Sequence, residues 1–237
     1  MDSTTTLRLP LVQAAQAQKH VTVNEALVRL DALVELTLAS RAITAPPGTA
    51  EEGACYAVPA GAVNAWDGQA GRLALFVGGG WDFLDPVTGW RAWIADEGVP
   101  GVFDGVDWVA GSGAVSPNGA AFVQRVVEFD HTIATGPSSD TIAAVPGNAL
   151  VYGVSGRVLS AIGGTATSWQ LGIGGVSPDR YGSGLGLAAG SWVRGLTSTP
   201  IAYYSDTALT LTGAGGDLSG GVVRLAVHIA ELTLPRA

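Results

Sequence analysis

The chain of 237 residues is 47% apolar but only 14% charged, with a formal net charge of −8 and one lysine, Lys19. That length suits two modest domains or one large β domain, and so little charge leaves a surface covered by small polar residues or hidden in an assembly. The acidity sits in residues 46–110, where Arg72 and Arg91 face nine carboxylates; no row of cations could neutralise phosphates, which argues against nucleic-acid binding.

Cys55 is the only cysteine, so no intrachain disulfide can form. The opening segment lacks a basic stretch followed by an apolar run, and no stretch of ~18 apolar residues follows. The expectation is therefore neither a signal peptide nor membrane insertion, with synthesis in a reducing cytoplasm.

Residues 1–45 are predicted to form a helical anchor, with the helix over 11–40. Thr22-Val23-Asn24-Glu25 has the capping-box pattern, in which hydroxyl and carboxylate each satisfy an amide at the helix start. Val23, Leu27, Leu30, Val34 and Thr37 recur at 4-3-4-3 spacing, widened by Leu33 and Leu38. Such a stripe suits a short seam between copies of the chain or docking on a neighbour; packing on its own chain is the alternative. It is too short to hold an oligomer together alone.

Residues 46–110 are predicted to form a small antiparallel β module holding five of the seven tryptophans, Trp66, Trp81, Trp90, Trp93 and Trp108. Without a disulfide, a module this small needs such side chains as its core. Gly78-Gly79 and Asp104-Gly105 are turn signals, because glycine supplies positive φ without steric cost. Residues 111–120 read as a breaker-rich linker. Residues 121–237 contain apolar runs at 122–129, 149–162, 169–173, 201–204, 209–211 and 222–234. Val223, Leu225, Val227 and Ile229 share one face, and Leu232 and Leu234 then shift the phase, which suggests a bulge or burial on both faces. Many short strands with Gly-rich connections predict a β-sandwich or jelly roll. The fold class is mainly β.

The run Gln16-Ala17-Gln18-Lys19-His20-Val21-Thr22-Val23-Asn24-Glu25-Ala26-Leu27, continued by Leu30-Asp31-Ala32-Leu33-Val34, resembles the start of a domain-of-unknown-function family encoded in bacterial prophages and gene transfer agents. Gly80-Trp81-Asp82-Phe83-Leu84, Gly89-Trp90-Arg91-Ala92-Trp93 and Val102-Phe103-Asp104-Gly105 resemble its second half. The likeness covers residues 9–108. More loosely, Ser168-Trp169, Arg180-Tyr181 and 209–212 are similar to the C-terminal region of head-spike fibres of gene transfer agents, phage-like particles carrying host DNA. The resemblance implies a homotrimeric fibre on the particle surface, made in the cytoplasm and released by lysis. It also implies that the N-terminal part binds a spike base, or another capsid or tail protein. The C-terminal jelly roll would bind bacterial capsular polysaccharide. A tail-fibre or baseplate connector without a ligand fits the same likeness.

Chemistry for catalysis is not apparent. Gly153-Val154-Ser155-Gly156-Arg157 fails the G-x-S-x-G elbow at its last position, and His20, His131 and His228 are far apart. No zinc, P-loop or dinucleotide pattern occurs. The expectations are no enzyme activity, no cofactor and no dedicated metal site, although Asp104 and Asp107 could hold calcium loosely. A capsule-degrading glycoside hydrolase is the less favoured alternative. Its acids would come from Glu128, Asp130, Asp140, Asp179, Asp206, Asp217 and Glu231, two of them ~5–9.5 Å apart.

Glycans are held by aromatic faces against sugar C–H edges, with planar polar groups fixing hydroxyls. The C-terminal candidates are Trp169, Tyr181, Trp192, Tyr203 and Tyr204, with Asp179, Arg180, Arg194 and Asp206 as polar companions. Asp179-Arg180-Tyr181 is the best loop candidate. Trp169 and Trp192 would more often fill a sandwich core than meet a ligand. Tyr203 and Tyr204 should point to opposite faces of a strand, so at most one is exposed.

Overall fold

A computed structural model describes residues 3–12 and 19–237. The predicted helix at 13–18, with Gln16 and Gln18 of the resemblance, lies outside the described residues. The chain divides into two compact units, Met1–Ala121 with Leu234–Ala237, and Phe122–Thr233.

The first unit opens with α1 (Lys19–Val34). Its strands are β1 (Thr37–Leu38), β2 (Cys55–Ala57), β3 (Leu73–Val77), β4 (Gly80–Leu84), β5 (Arg91–Ile94), β6 (Val99–Phe103), β7 (Trp108–Ala110) and β8 (Ser112–Val115). Seven of them form a sheet in the order β4-β3-β2-β1-β5-β6-β7. The predicted turns fall where expected: Gly78 and Gly79 join β3 to β4 at φ of 60° and 79°, and Gly105 turns β6 into β7 at 103°.

Four expectations for this unit change. Thr22 lies inside α1, so the capping box does not start the helix. The helix stops at Val34, because Leu36 and Leu38 are buried while Thr37 is exposed, a period-two pattern only a strand provides. Residues 1–45 are no separate segment: β1 lies between β2 and β5, parallel to both (Leu38↔Cys55, Leu38↔Ile94). Residues 111–120, read as linker, include β8.

The core of this unit gathers Leu36, Leu38, Cys55, Leu73, Leu75, Ile94, Phe103 and Trp108, with Val28, Ala32 and Leu33 of α1 packed against it. Burial pushes the Cys55 thiol up to about 12, so it behaves as a small apolar side chain. Trp66 is fully buried beside Trp81 and Tyr56 at ring separations of 5.2 and 5.4 Å, whereas Trp93 is exposed and outside the core. Asp31 is buried and accepts from the Thr4 hydroxyl at 2.7 Å, the Thr6 amide at 2.8 Å and the Leu7 amide at 2.6 Å. Asn24, two turns earlier, bonds both backbone groups of Val12. Those side chains clasp residues 3–12 onto the helix.

The second unit contains β9 (Ala121–Thr132), β10 (Ser138–Asp140), β11 (Ala149–Ser160), β12 (Gly163–Gly164), β13 (Ser168–Ile173), β14 (Ser177–Leu185), β15 (Trp192–Tyr203), β16 (Thr210–Ala214), β17 (Leu218–Ser219) and β18 (Val222–Leu232). Setting aside the short β12–β17 ribbon, one sheet runs β15-β11-β18-β9 and the other β10-β16-β13-β14. Counted along the chain, those eight strands lie 6-3-8-1 and 2-7-4-5, which is the jelly-roll order. Val151, Val154, Val223, Leu225 and Val227 of the first sheet meet Trp169, Leu171 and Leu211 of the second in one core.

β18 pairs with β9 without a slip from Val222 to Leu232, so the expected bulge is not there. The register shifts lie instead on β11, at Val151/Gly153 and Val158/Ser160.

Candidate functional site

The alternation along β15 decides what the second unit presents. Val193 and Gly195 point inward, while Trp192, Arg194 and Leu196 point outward. Trp192 is 63% exposed, and the Arg194 guanidinium lies 5.9 Å from the centre of its ring. That is within cation–π reach, which holds the arginine alongside the aromatic face.

Register extends the surface across three more strands. Trp192 pairs with Arg157 on β11, Arg157 with Arg224 on β18, and Arg224 with Asp130 on β9. In the next row Arg194 lies beside Ser155, then Ala226, then Glu128. The Ser155 hydroxyl is 3.0 Å from His228 Nε2. Arg224 forms a two-bond pair with Asp130, at 2.7 and 2.9 Å, which holds the Asp130 carboxyl below its usual range. Among the described residues Arg157 and Arg194 have no carboxylate partner; Arg157 reaches only the Gly190 carbonyl, at 3.5 Å.

The other sequence candidates separate. Trp169 is 1% exposed, and its indole N–H donates to the Gly186 carbonyl at 2.9 Å. Tyr181 and Tyr203 are buried, their hydroxyls 2.7 Å apart across the sandwich, and Arg180 donates to Tyr203 at 3.1 Å. Burial raises the Tyr181 hydroxyl far above its ordinary value, so Tyr181 stays neutral. These three aromatics fill core and offer no ring to a ligand. Asp179-Arg180-Tyr181 is not a loop but part of β14, an edge strand that accommodates Pro178. Asp179 is exposed there. Tyr204 is 85% exposed, and Asp206 accepts from the Gly147 amide at 2.8 Å. Both follow the far end of β15; Trp192 and Tyr203 face Arg157 and Ala149, which places that end ~26 Å from Trp192 along β11.

Ser155–His228 and His131–Ser139, at 3.0 and 2.8 Å, are the two serine–histidine contacts among the described residues. Neither histidine is paired with a carboxylate there, so neither contact has the third member of a triad. Burial holds the His131 imidazole below its ordinary value, against the opposing pull of Asp140. Four of the possible hydrolytic acids are engaged structurally: Asp130 by Arg224, Glu231 by Arg125, Asp140 by Thr210 and Asp206 by Gly147.

Asp104 does not offer a loose calcium site. Its carboxylate is buried, accepts from the Val106 and Asp107 amides, and is neutralised by Arg236. No group of three acidic, histidine or cysteine side chains is arranged to hold a metal among the described residues. No helix among them is long and apolar enough to cross a membrane.

Arg157, Ser155 and His228 were not legible as site residues. Each sits at an outward position of its strand, but the register joining strands over 30 residues apart is absent from local pattern.

Residues 23–109 match the family described as Protein of unknown function (DUF2793). The match spans α1 through most of β7 and ends before the jelly roll. Among curated proteins, none matches the chain.

Proposed function

We propose, from a chain whose residues 23–109 carry that domain, that this is a surface fibre or spike of a phage-like particle of the gene-transfer-agent kind. Its jelly roll attaches the particle to recipient bacteria by binding capsular polysaccharide. The observation that carries this reading is Trp192, a large exposed aromatic on an ordered strand, flanked by Arg194 and Arg157. An apolar ring beside fixed polar groups is what a sugar requires, and a rigid strand keeps the ordering cost of binding low. The tail-fibre or baseplate connector has no such surface observation in its favour.

The test is retention of labelled protein on capsulated cells against their acapsular mutant. Wild-type chain is expected to be retained only on the former, and Trp192→Ala to lose at least tenfold. Equal retention on both cell types would count against the reading.

The first unit would supply attachment to the particle, by a spike base or another capsid or tail protein. The stripe Val23, Leu27, Leu30 and Val34 supports this: Leu27 is half-buried, and the other three stand 44–59% exposed on the side of α1 away from Val28 and Ala32. Apolar rows left in water favour association. The same stripe supports a homotrimer. Light scattering is expected to give three times the chain mass, and Leu30→Glu to give one; a wild-type monomer at micromolar concentration contradicts the trimer.

A further inference from the structure

We infer that the outer face of β15, β11 and β18 selects a glycan bearing sugar carboxylates, bound by Arg157 and Arg194 beside Trp192; this rests on the glycan reading above. The argument begins with charge placement. The chain as a whole is acidic, at −8, yet two arginines without carboxylate partners are diagonal neighbours on this one surface. Diagonal positions on adjacent strands are ~7–8 Å apart. Like charges so placed repel each other, and an anion between them removes that repulsion.

The nearest acids on the same face do not serve. Asp130 is bound by Arg224, with Glu128 4.0 Å from that same guanidinium. Both belong to β9, two strands from β11, a separation of ~9.6 Å. Arg224 is thereby withdrawn from the ligand, and Arg157 and Arg194 are left to it. Arginine's planar fork suits a carboxylate, which accepts two parallel N–H bonds. Trp192 supplies the ring against which the sugar carrying that carboxylate lies. The Ser155 hydroxyl and His228 imidazole, in the adjoining positions, can meet neutral hydroxyls. The conjunction of an aromatic face with two free guanidinium groups favours an acidic sugar over a neutral one.

The probe is polygalacturonate, compared with the same polymer after its carboxyls are reduced to hydroxymethyl groups. Titration of the full-length chain is expected to show at least tenfold weaker binding to the reduced polymer. Arg157→Gln and Arg194→Gln should each weaken binding to polygalacturonate about tenfold, a greater loss than either causes with the reduced polymer. Both positions are exposed on the sheet surface, so the variants are expected to melt as the wild type does. Binding of polygalacturonate should also weaken as salt rises. Equal affinity for the two polymers overturns the acidic preference and leaves glycan binding standing. Full affinity of the double glutamine variant for polygalacturonate overturns the assignment to these arginines. Failure of both polymers to bind, where capsular polysaccharide does bind, also overturns the carboxylate preference; failure of all three removes the glycan reading with it.

Discussion

Trp169→Ala is expected to destabilise the jelly roll by about 3–5 kcal/mol. The side chain is 1% exposed and packs between the two sheets, so its removal leaves a cavity that the flanking strands cannot close without breaking register. It also leaves the Gly186 carbonyl without its indole donor. A domain of this size is stable by only about 5–15 kcal/mol, so the loss is a large fraction of the total. Denaturant unfolding followed by far-ultraviolet circular dichroism reads it as a lower midpoint. Trp192→Ala, in the other sheet and 63% exposed, removes the same side chain and is expected to shift stability by no more than about 0.5 kcal/mol. A large loss at Trp192, or none at Trp169, would reverse the assignment of core and surface.

Asp31→Ala is expected to destabilise the first unit by about 3–4 kcal/mol, because three donors then lose a charged acceptor. Asp31→Asn should be milder, at about 2 kcal/mol: one side-chain oxygen remains, and the Thr6 amide or its neighbours then face an NH₂ group. The carboxyl also makes the unit acid-labile. Burial alone would raise its affinity for a proton, but the Thr4 hydroxyl and the Thr6 and Leu7 amides outweigh burial and hold it below its ordinary 3.8. The unfolded chain therefore takes up the proton first. The stabilisation is fully present above a pH of about 4 and is lost as pH falls through the lower, folded value. Wild type should lose more stability than Asp31→Asn over that window, in parallel unfolding curves; identical acid dependence in the two would remove Asp31 from the explanation.

The architecture was legible where one strand reports on itself. Alternation of Val223, Leu225, Val227 and Ile229 marked a face of β18, and the glycine pairs marked hairpins, because both signals are local. Leu36-Thr37-Leu38 was missed because a two-residue strand gives too short an alternation to compete with the helical spacing before it. β14 was missed because Pro178, Gly182 and Gly184 are breakers in isolation, and only edge position makes them tolerable. The site divides in the same way. Composition brought out Trp192 and Arg194, but it brought out Trp169, Tyr181 and Tyr203 equally, since an aromatic on the inward phase of a strand has the same letters as one on the outward phase. What separates them is which face packs on the second sheet, and that is settled by pairing across the whole chain. Asp31 gave no signal at all, because its partners lie 24–27 residues earlier.

The most direct measurement is the affinity of the purified chain for polysaccharide extracted from capsulated host cells, taken alongside the unfolding curve of each variant. Saturable binding by the wild type, weakened at least tenfold in a Trp192→Ala protein that unfolds at the wild-type midpoint, is the predicted result. No binding by properly folded wild-type chain, or binding that Trp192→Ala leaves intact, would contradict the placement of a glycan site on the outer sheet of the jelly roll.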